Sequence, residues 1–187
     1  EKNLRRLFES AGRHERSVIF LDEVDALLSS KADQKVDLVS QFLILADGIR
    51  KQSNFLLLLA ATNKPWVIDE AALRPGRFGR QIYVGLPDAE ARKAIVQYCI
   101  RDVPVADDIM VEEILGQTEG FSGADMAELC SRAKKSAARR QVESGAEQWL
   151  VDDDFRNAIE GVKPSVTSDM LDKYRVWRKE RDIVNDR

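Results

Sequence analysis

Two adjacent carboxylates, Asp22 and Glu23, follow directly on the apolar run Val18–Leu21 in the stretch VIFLDEVDAL. An unbroken apolar run bounded by polar residues has the pattern of a strand covered on both faces, as in a parallel sheet. Side chains at the C-terminal end of such a strand enter the crevice where open α/β sheets bind ligands. Neighbouring residues on a strand point to opposite sides. One carboxylate can therefore hold Mg²⁺ through water while the next orients or deprotonates an attacking water. Two solvated acids ahead of a helix starting near Val24 would carry the same letters. A second apolar run, Phe55–Ala61, ends in Thr62 and Asn63. An uncharged amide there can hydrogen-bond a phosphate oxygen or the attacking water, although Asn before Pro65 also suits a plain turn. The third group is LRPGRFGR, 73–80, where Arg74, Arg77 and Arg80 crowd a Pro-Gly turn. A planar guanidinium suits bidentate phosphate contact; salt bridges to nearby acids or a nucleic-acid patch are the alternatives.

The elements that must position these groups follow from periodicity. Leu4, Leu7, Phe8 and Ala11 fall at helical spacing, and Gly12 with the polar residues after it ends that helix. Val36, Val39, Phe42, Leu43 and Ala46 mark a second helix, with Gly48 as its stop. Ile82–Val84 reads as a third, short strand. Strands alternating with helices predict an α/β layer fold with a parallel sheet. After Leu86-Pro87-Asp88 the pattern becomes all helical. Ile95, Tyr98 and Cys99 share one helix, and Val111, Ile114 and Leu115 another. Ser122 and Asp125 form an S-x-x-D capping box ahead of Met126, Leu129, Cys130, Ala133 and Ala137. Phe155 and Ile159 lie on a helix headed by Asp152–Asp154, where acids suit the positive helix end. Residues 1–87 therefore read as an α/β part and 88–187 as a helical part.

Composition narrows the function classes. The net charge of −3 provides no bulk drive toward nucleic acid or anionic membrane, and Phe55–Ala61, the longest apolar run, is too short to span a bilayer. A single histidine, His14, excludes multi-histidine metal sites. Cys99 and Cys130 sit in apolar-periodic stretches, which predicts buried free thiols in a reducing, cytoplasmic compartment. The opening EKNLRRLF is helical from its first residues, without a capping residue or initiator Met, so the chain reads as a segment of a longer protein.

Taken together, these stretches resemble the AAA+ ATPases, specifically the AAA subgroup of protein-remodelling motors. VIFLDEVDAL resembles their Walker B segment, AATNKPWVIDEAALRPGRFGRQIYVGLPD their sensor-1 and arginine-finger region, and TEGFSGADMAELCSRA the sensor-2 region of their helical lid. The likeness covers nearly the whole chain and implies a partial parallel-sheet nucleotide-binding core followed by an all-helical lid. By that resemblance, the cofactors are ATP and Mg²⁺. Asp22 would organise the metal, Glu23 would activate water, and Asn63 would be sensor 1. Arg74 and Arg77 would be arginine fingers acting on a neighbouring subunit's nucleotide. Gly123 and Ala124 would lie against base and ribose, and Arg80 would be structural. Fingers supplied in trans imply a homo-oligomeric ring, a hexamer, acting on protein substrates. The stretch GVKPSVTSDMLDKYRVWRKE, 161–180, resembles the C-terminal helix of valosin-containing-protein-type modules. Tyr174 and Trp177 would pack that helix on the lid or serve a subunit interface.

The chain departs from the family pattern in four places. It contains no G-x-x-x-x-G-K-[ST], so the loop that cradles a triphosphate is not among these residues. The strand that feeds the loop and the first pore loop are expected upstream as well. Ser29–Asp37 is short for a second pore loop and lacks its arginines. Gly79 stands where the family usually has Asp, and Lys64 where it usually has Arg. Two other functions compete with an ATP-driven remodeller. A non-hydrolysing scaffold is opposed by the joint presence of Glu23, Asn63, Arg74 and Arg77. A nucleic-acid motor would draw on the basic stretch Arg132, Lys134, Lys135, Arg139 and Arg140, which also reads as a solvated helix face or a subunit contact.

Overall fold

The computed structural model describes residues 2–29, 36–49, 55–106, 109, 111–145 and 149–181. These residues fall into two compact units, Glu1–Tyr83 with Trp177–Arg187, and Val84–Val176. Most of the stretch expected to form a short second pore loop lies outside the described residues.

The first unit is built on two parallel strands, β1 (Arg16–Leu21) and β2 (Phe55–Ala60). Their register runs from Arg16 opposite Phe55 to Leu21 opposite Ala60. Helix α1 (Lys2–Gly12) precedes β1, and α2 (Asp25–Leu28) and α3 (Val36–Ile49) follow it. Two 3₁₀ turns, Pro65–Val67 and Glu70–Leu73, come after β2. The apolar stripes expected on α1 and α3 meet one face of the sheet: Leu4, Phe8, Ile19, Val39, Phe42 and Ala46 are buried in one cluster. Phe42 is its pivot, edge-on to Phe8 at 5.9 Å and stacked on Phe78 at 5.5 Å. Such ring pairs each add about 1 kcal/mol beyond area burial. Asp69 caps the second 3₁₀ turn by accepting the Ala71 N–H at 2.8 Å, and its own N–H bonds to the Leu28 carbonyl.

Three expectations are corrected here. Among the described residues the strands are covered on one face: Val18, Phe20, Phe55, Leu57 and Leu59 alternate outward and are exposed. A run of apolar letters fixes that both faces can be buried, while the second cover must come from elements outside the strand. Ile82–Val84 is not a strand, and both Ile82 and Val84 are exposed. No neighbouring strand among the described residues offers it a ladder. Gly48 also fails to stop α3, which runs one residue beyond it.

The second unit packs α4 (Ala89–Ile100), α5 (Val111–Gly116), α6 (Gly123–Ser144) and α7 (Asp152–Glu160) around Val96, Ile114, Met126, Leu129, Cys130, Leu150 and Phe155. Sequence-local signals set its helix ends. Asp88 caps α4 by accepting the Ala91 N–H at 2.8 Å. Ser122 and Asp125 form the expected reciprocal capping box on α6. Gly145 closes α6 in the left-handed region at φ 67°, a conformation glycine adopts without a Cβ penalty. Asp154 reaches back to the Val151 N–H at 3.0 Å and is itself buried, paired with Arg140.

Helix α8 (Ser168–Glu180) closes the described chain. Trp177 is buried and groups with the first unit. There Arg178 lies over the Tyr83 ring at 4.5 Å, and Arg181 Nη2 bonds Glu70 Oε1 at 2.6 Å.

Candidate functional site

The ends of β1 and β2 are joined one step beyond the strands. The Ala61 N–H donates to Leu21 O at 2.9 Å and the Val24 N–H to Ala61 O at 3.0 Å. That pairing brings the turn Asp22-Glu23-Val24 beside Ala61-Thr62-Asn63. Asp22 Oδ1 accepts the Glu23 N–H at 2.9 Å. Glu23 sits at φ 47°, the one described non-glycine residue with positive φ. A side chain held in the left-handed region costs about 1–2 kcal/mol, and such strain clusters at working sites. Asp22, Glu23 and Asn63 are all exposed. Asn63 is bracketed by the Thr62 hydroxyl, which donates to Asp25 Oδ1 at 2.7 Å and accepts the Lys64 N–H at 2.9 Å.

The arginine turn lies on the same unit. Arg77 is not presented to solvent. Its Nε and Nη2 donate to the two Asp47 carboxylate oxygens at 3.2 and 2.7 Å, and its Nη1 donates to Ala71 O at 2.6 Å. The Asp47 hydrogen bond holds the Arg77 proton more tightly than in a free guanidinium, against a small opposing effect of burial. Arg74 and Arg80 are exposed. Gly79 has a packing reason: a Cβ there would stand 2.8 Å from Pro75 Cα and 3.1 Å from Pro75 N. The turn folds back on its own backbone, and a side chain would force it open.

In the second unit, Asp125 Oδ2 collects four donors: the N–H and hydroxyl of Ser122, each at 2.8 Å, and those of Ser165, each at 3.1 Å. Burial alone would favour its neutral form, but these donors outweigh burial and hold the carboxyl below the usual range. At Gly123, which opens α6, an added Cβ would meet only Ile95 Cδ1, at 4.0 Å. The basic stretch on α6 is largely engaged within the lid. Arg132 bonds Glu128 at 2.7 Å, Lys134 Nζ bonds Cys99 O at 3.1 Å, and Arg140 bonds Trp149 O at 3.0 Å and pairs with Asp154.

Sequence reading missed Asp25, Asp47 and Ser165. Asp25 had a local signal, since it stands two residues beyond Glu23 on the same turn. Asp47 is 30 positions from Arg77 and Ser165 is 40 from Asp125, and nothing local announces either pairing.

Two parallel strands ending in carboxylates and an asparagine, an arginine turn on the same unit and a separate helical unit define a partial α/β core followed by a helical unit. Comparison with known proteins specifies the class. Residues 1–86 match the model of the ATPase family associated with various cellular activities, and residues 108–149 that of the AAA+ lid domain. The chain belongs to the AAA ATPase family. It is 35% identical, over 91% of its length, to a cell division cycle protein 48 homolog of Archaeoglobus fulgidus. It is 34% identical, over 96% of its length, to the katanin p60 ATPase-containing subunit A1 of Arabidopsis thaliana. It is similar to the crystal structures of the FIGL-1 AAA domain, alone and in complex with ADP, with a TM-score of 0.81, 36% identity, and coverage of 96% of this chain and 62% of that one. The chain spans 25% of the length of the first of these curated relatives and 39% of the second.

Proposed function

We propose that this chain is the catalytic and lid portion of a ring-forming ATPase that remodels protein substrates. The observation that carries the reading is the joined turn at the strand ends, which sets Asp22, strained Glu23 and Asn63 side by side and open to solvent. Relatives named as ATPases and a neighbour in complex with ADP support ATP as the nucleotide.

The residues present fit one side of the cofactor. Mg²⁺ takes hard oxygen donors and retains several waters, so one carboxylate plus substrate phosphates suffices. Asp22 offers that carboxylate. Among the described residues no cluster of three or more metal-binding side chains occurs. The chain has no phosphate-binding loop of the G-x-x-x-x-G-K-[ST] type, so the residues here serve the metal and the water rather than the triphosphate's cradle. Bound Mg–ATP supplies the electrophilic terminal phosphorus.

Glu23 accepts the proton of the attacking water at a carboxylate oxygen. Asn63 orients that water through its amide. Arg74, exposed on its turn, neutralises charge developing on a neighbouring subunit's nucleotide, an effect worth roughly 10³–10⁵ in rate. Arg77 reaches a neighbour only after releasing Asp47, and in its present pairing it braces the turn that carries Arg74. The space around Gly123 supports a nucleotide contact there, since nothing in the lid itself demands glycine. The internal bonds of Arg132, Lys134 and Arg140 engage three of the five basic residues that a nucleic-acid track on that helix would use. Among the described residues no helix is long and apolar enough to cross a membrane.

The test is Mg²⁺-dependent ATP hydrolysis by the full-length protein across a concentration series, with Glu23→Gln and Arg74→Ala alongside. Specific activity that rises with concentration and is lost in both variants supports a hexameric ring with fingers in trans. Activity flat with concentration and untouched by Arg74→Ala rules that ring reading out.

A further inference from the structure

We infer that Asp25 and Thr62 form a positioning pair, setting Asn63 and Glu23 in register on a shared water. The inference rests on the hydrolytic reading above and deepens it. The geometry is specific. Beyond their strands, β1 and β2 are held together by the two backbone bonds at Leu21–Ala61 and Val24–Ala61, at 2.9 and 3.0 Å. Those bonds bracket Glu23 between Leu21 and Val24, whereas Asn63 lies two residues past Ala61 on its own turn. A side-chain bond bridges the turns, Thr62 Oγ1 to Asp25 Oδ1 at 2.7 Å.

The Thr62 hydroxyl is used twice. It donates its proton to Asp25 and accepts the Lys64 N–H at 2.9 Å. The backbone on both sides of Asn63 is thereby tied to one oxygen, and that oxygen is tied to the turn carrying Glu23. Asp25 in turn stands at the first position of α2, two residues after Glu23, and the Ala26 N–H closes the turn onto Glu23 O at 2.8 Å. The contact is only partly buried, so water competes for both groups and the bond contributes modestly to stability. Its value lies in orientation. Water-activating groups lose rate steeply when misplaced by about 1 Å, on the order of a hundredfold. A β-branched threonine has restricted χ1 freedom, which helps keep the hydroxyl aimed at Asp25.

The experiment is steady-state ATP hydrolysis by the full-length protein carrying Thr62→Val, Thr62→Ser, Asp25→Ala or the Thr62→Val/Asp25→Ala pair, with Glu23→Gln as reference. The expected result is a roughly ten- to hundredfold fall in kcat for Thr62→Val with KM for ATP nearly unchanged. Thr62→Ser restores most of the rate, and the double variant is no slower than the worse single one. Melting temperatures should stay close to that of the unaltered protein, so that a lost fold cannot mimic the effect. The pair has no positioning role if Thr62→Val keeps its kcat, if Thr62→Ser is as slow as Thr62→Val, or if the single effects simply multiply. Loss of activity in Glu23→Gln with Thr62→Val unaffected overturns this inference alone. Full activity in Glu23→Gln overturns the hydrolytic reading beneath it.

Discussion

Arg77 grips Asp47 through two parallel bonds, 3.2 and 2.7 Å, while its third nitrogen holds the Ala71 carbonyl. The guanidinium thus ties the arginine turn to α3 and to the 3₁₀ turn before it. Arg74, three residues earlier, is exposed on the same turn. The two arginines should separate experimentally. Arg77→Ala is expected to lower stability by about 1 kcal/mol, because the ion pair is half-exposed and its loss leaves one carbonyl to water. Arg74→Ala should leave the melting temperature unchanged and remove concentration-dependent ATP hydrolysis. Equal destabilisation by both substitutions would end the division of labour.

The backbone of Glu23, at φ 47°, makes a second prediction that separates stability from activity. Glycine adopts that conformation freely, whereas a β-branched residue is a genuine outlier there. Glu23→Gly should hold or raise the melting temperature while abolishing hydrolysis, and Glu23→Val should abolish hydrolysis and lower the melting temperature. Thermal unfolding of both variants decides the matter. If glycine destabilises as much as valine, the turn is not strained at this residue.

What the sequence discloses and what it withholds divide along a physical line. The helix faces through Leu4 and Phe8, or Met126, Leu129, Cys130 and Ala133, are readable because a stripe at helical spacing is a local property. The Ser122–Asp125 box is equally local. The outward face of Val18 and Phe20 is not readable, since its cover depends on what lies across from the strand. Ile82–Val84 fails for the same reason: strand letters without a neighbouring ladder do not make a strand. At the site, Asp22, Glu23 and Asn63 announce themselves by standing at the ends of apolar runs. Two bonds near them, Asp25 to Thr62 and Asp47 to Arg77, join residues 37 and 30 positions apart. They emerge only when the strands pair.

Asp125 gives the lid an acid-sensitive point. Against the penalty of burial, donors from Ser122 and Ser165 lower its pKa from 3.8. The folded state therefore releases this proton more readily than the unfolded chain. The resulting stability is present above about pH 3.8 and is lost as pH falls through the lower folded value. Denaturant unfolding between pH 6 and pH 2 should show a steeper acid loss in the unaltered protein than in Asp125→Asn. Parallel curves for the two would mean the four donors do not favour the ionised form.

Cys130 gives an alkaline counterpart. It is fully buried at the α4–α6 packing, and burial first, then the neighbouring Cys99 thiol, push its pKa from 9.0 up to about 12. Below pH 9 the thiol is protonated whether the chain is folded or not, and its contribution to stability is complete. As pH rises from 9.0 toward about 12 the unfolded chain ionises while the folded one does not. Stability then falls by at most about 1.4 kcal/mol per pH unit from this group. Other groups titrate in the same range, so the informative quantity is the difference from Cys130→Ala. That variant should be less stable at pH 8, through the cavity it leaves, yet lose less stability between pH 9 and pH 11. Iodoacetamide at pH 8 should label the half-exposed Cys99 well before Cys130. Equal labelling of the two thiols, together with identical alkaline slopes for the variant and the unaltered protein, would show that the lid core around Cys130 is open to solvent.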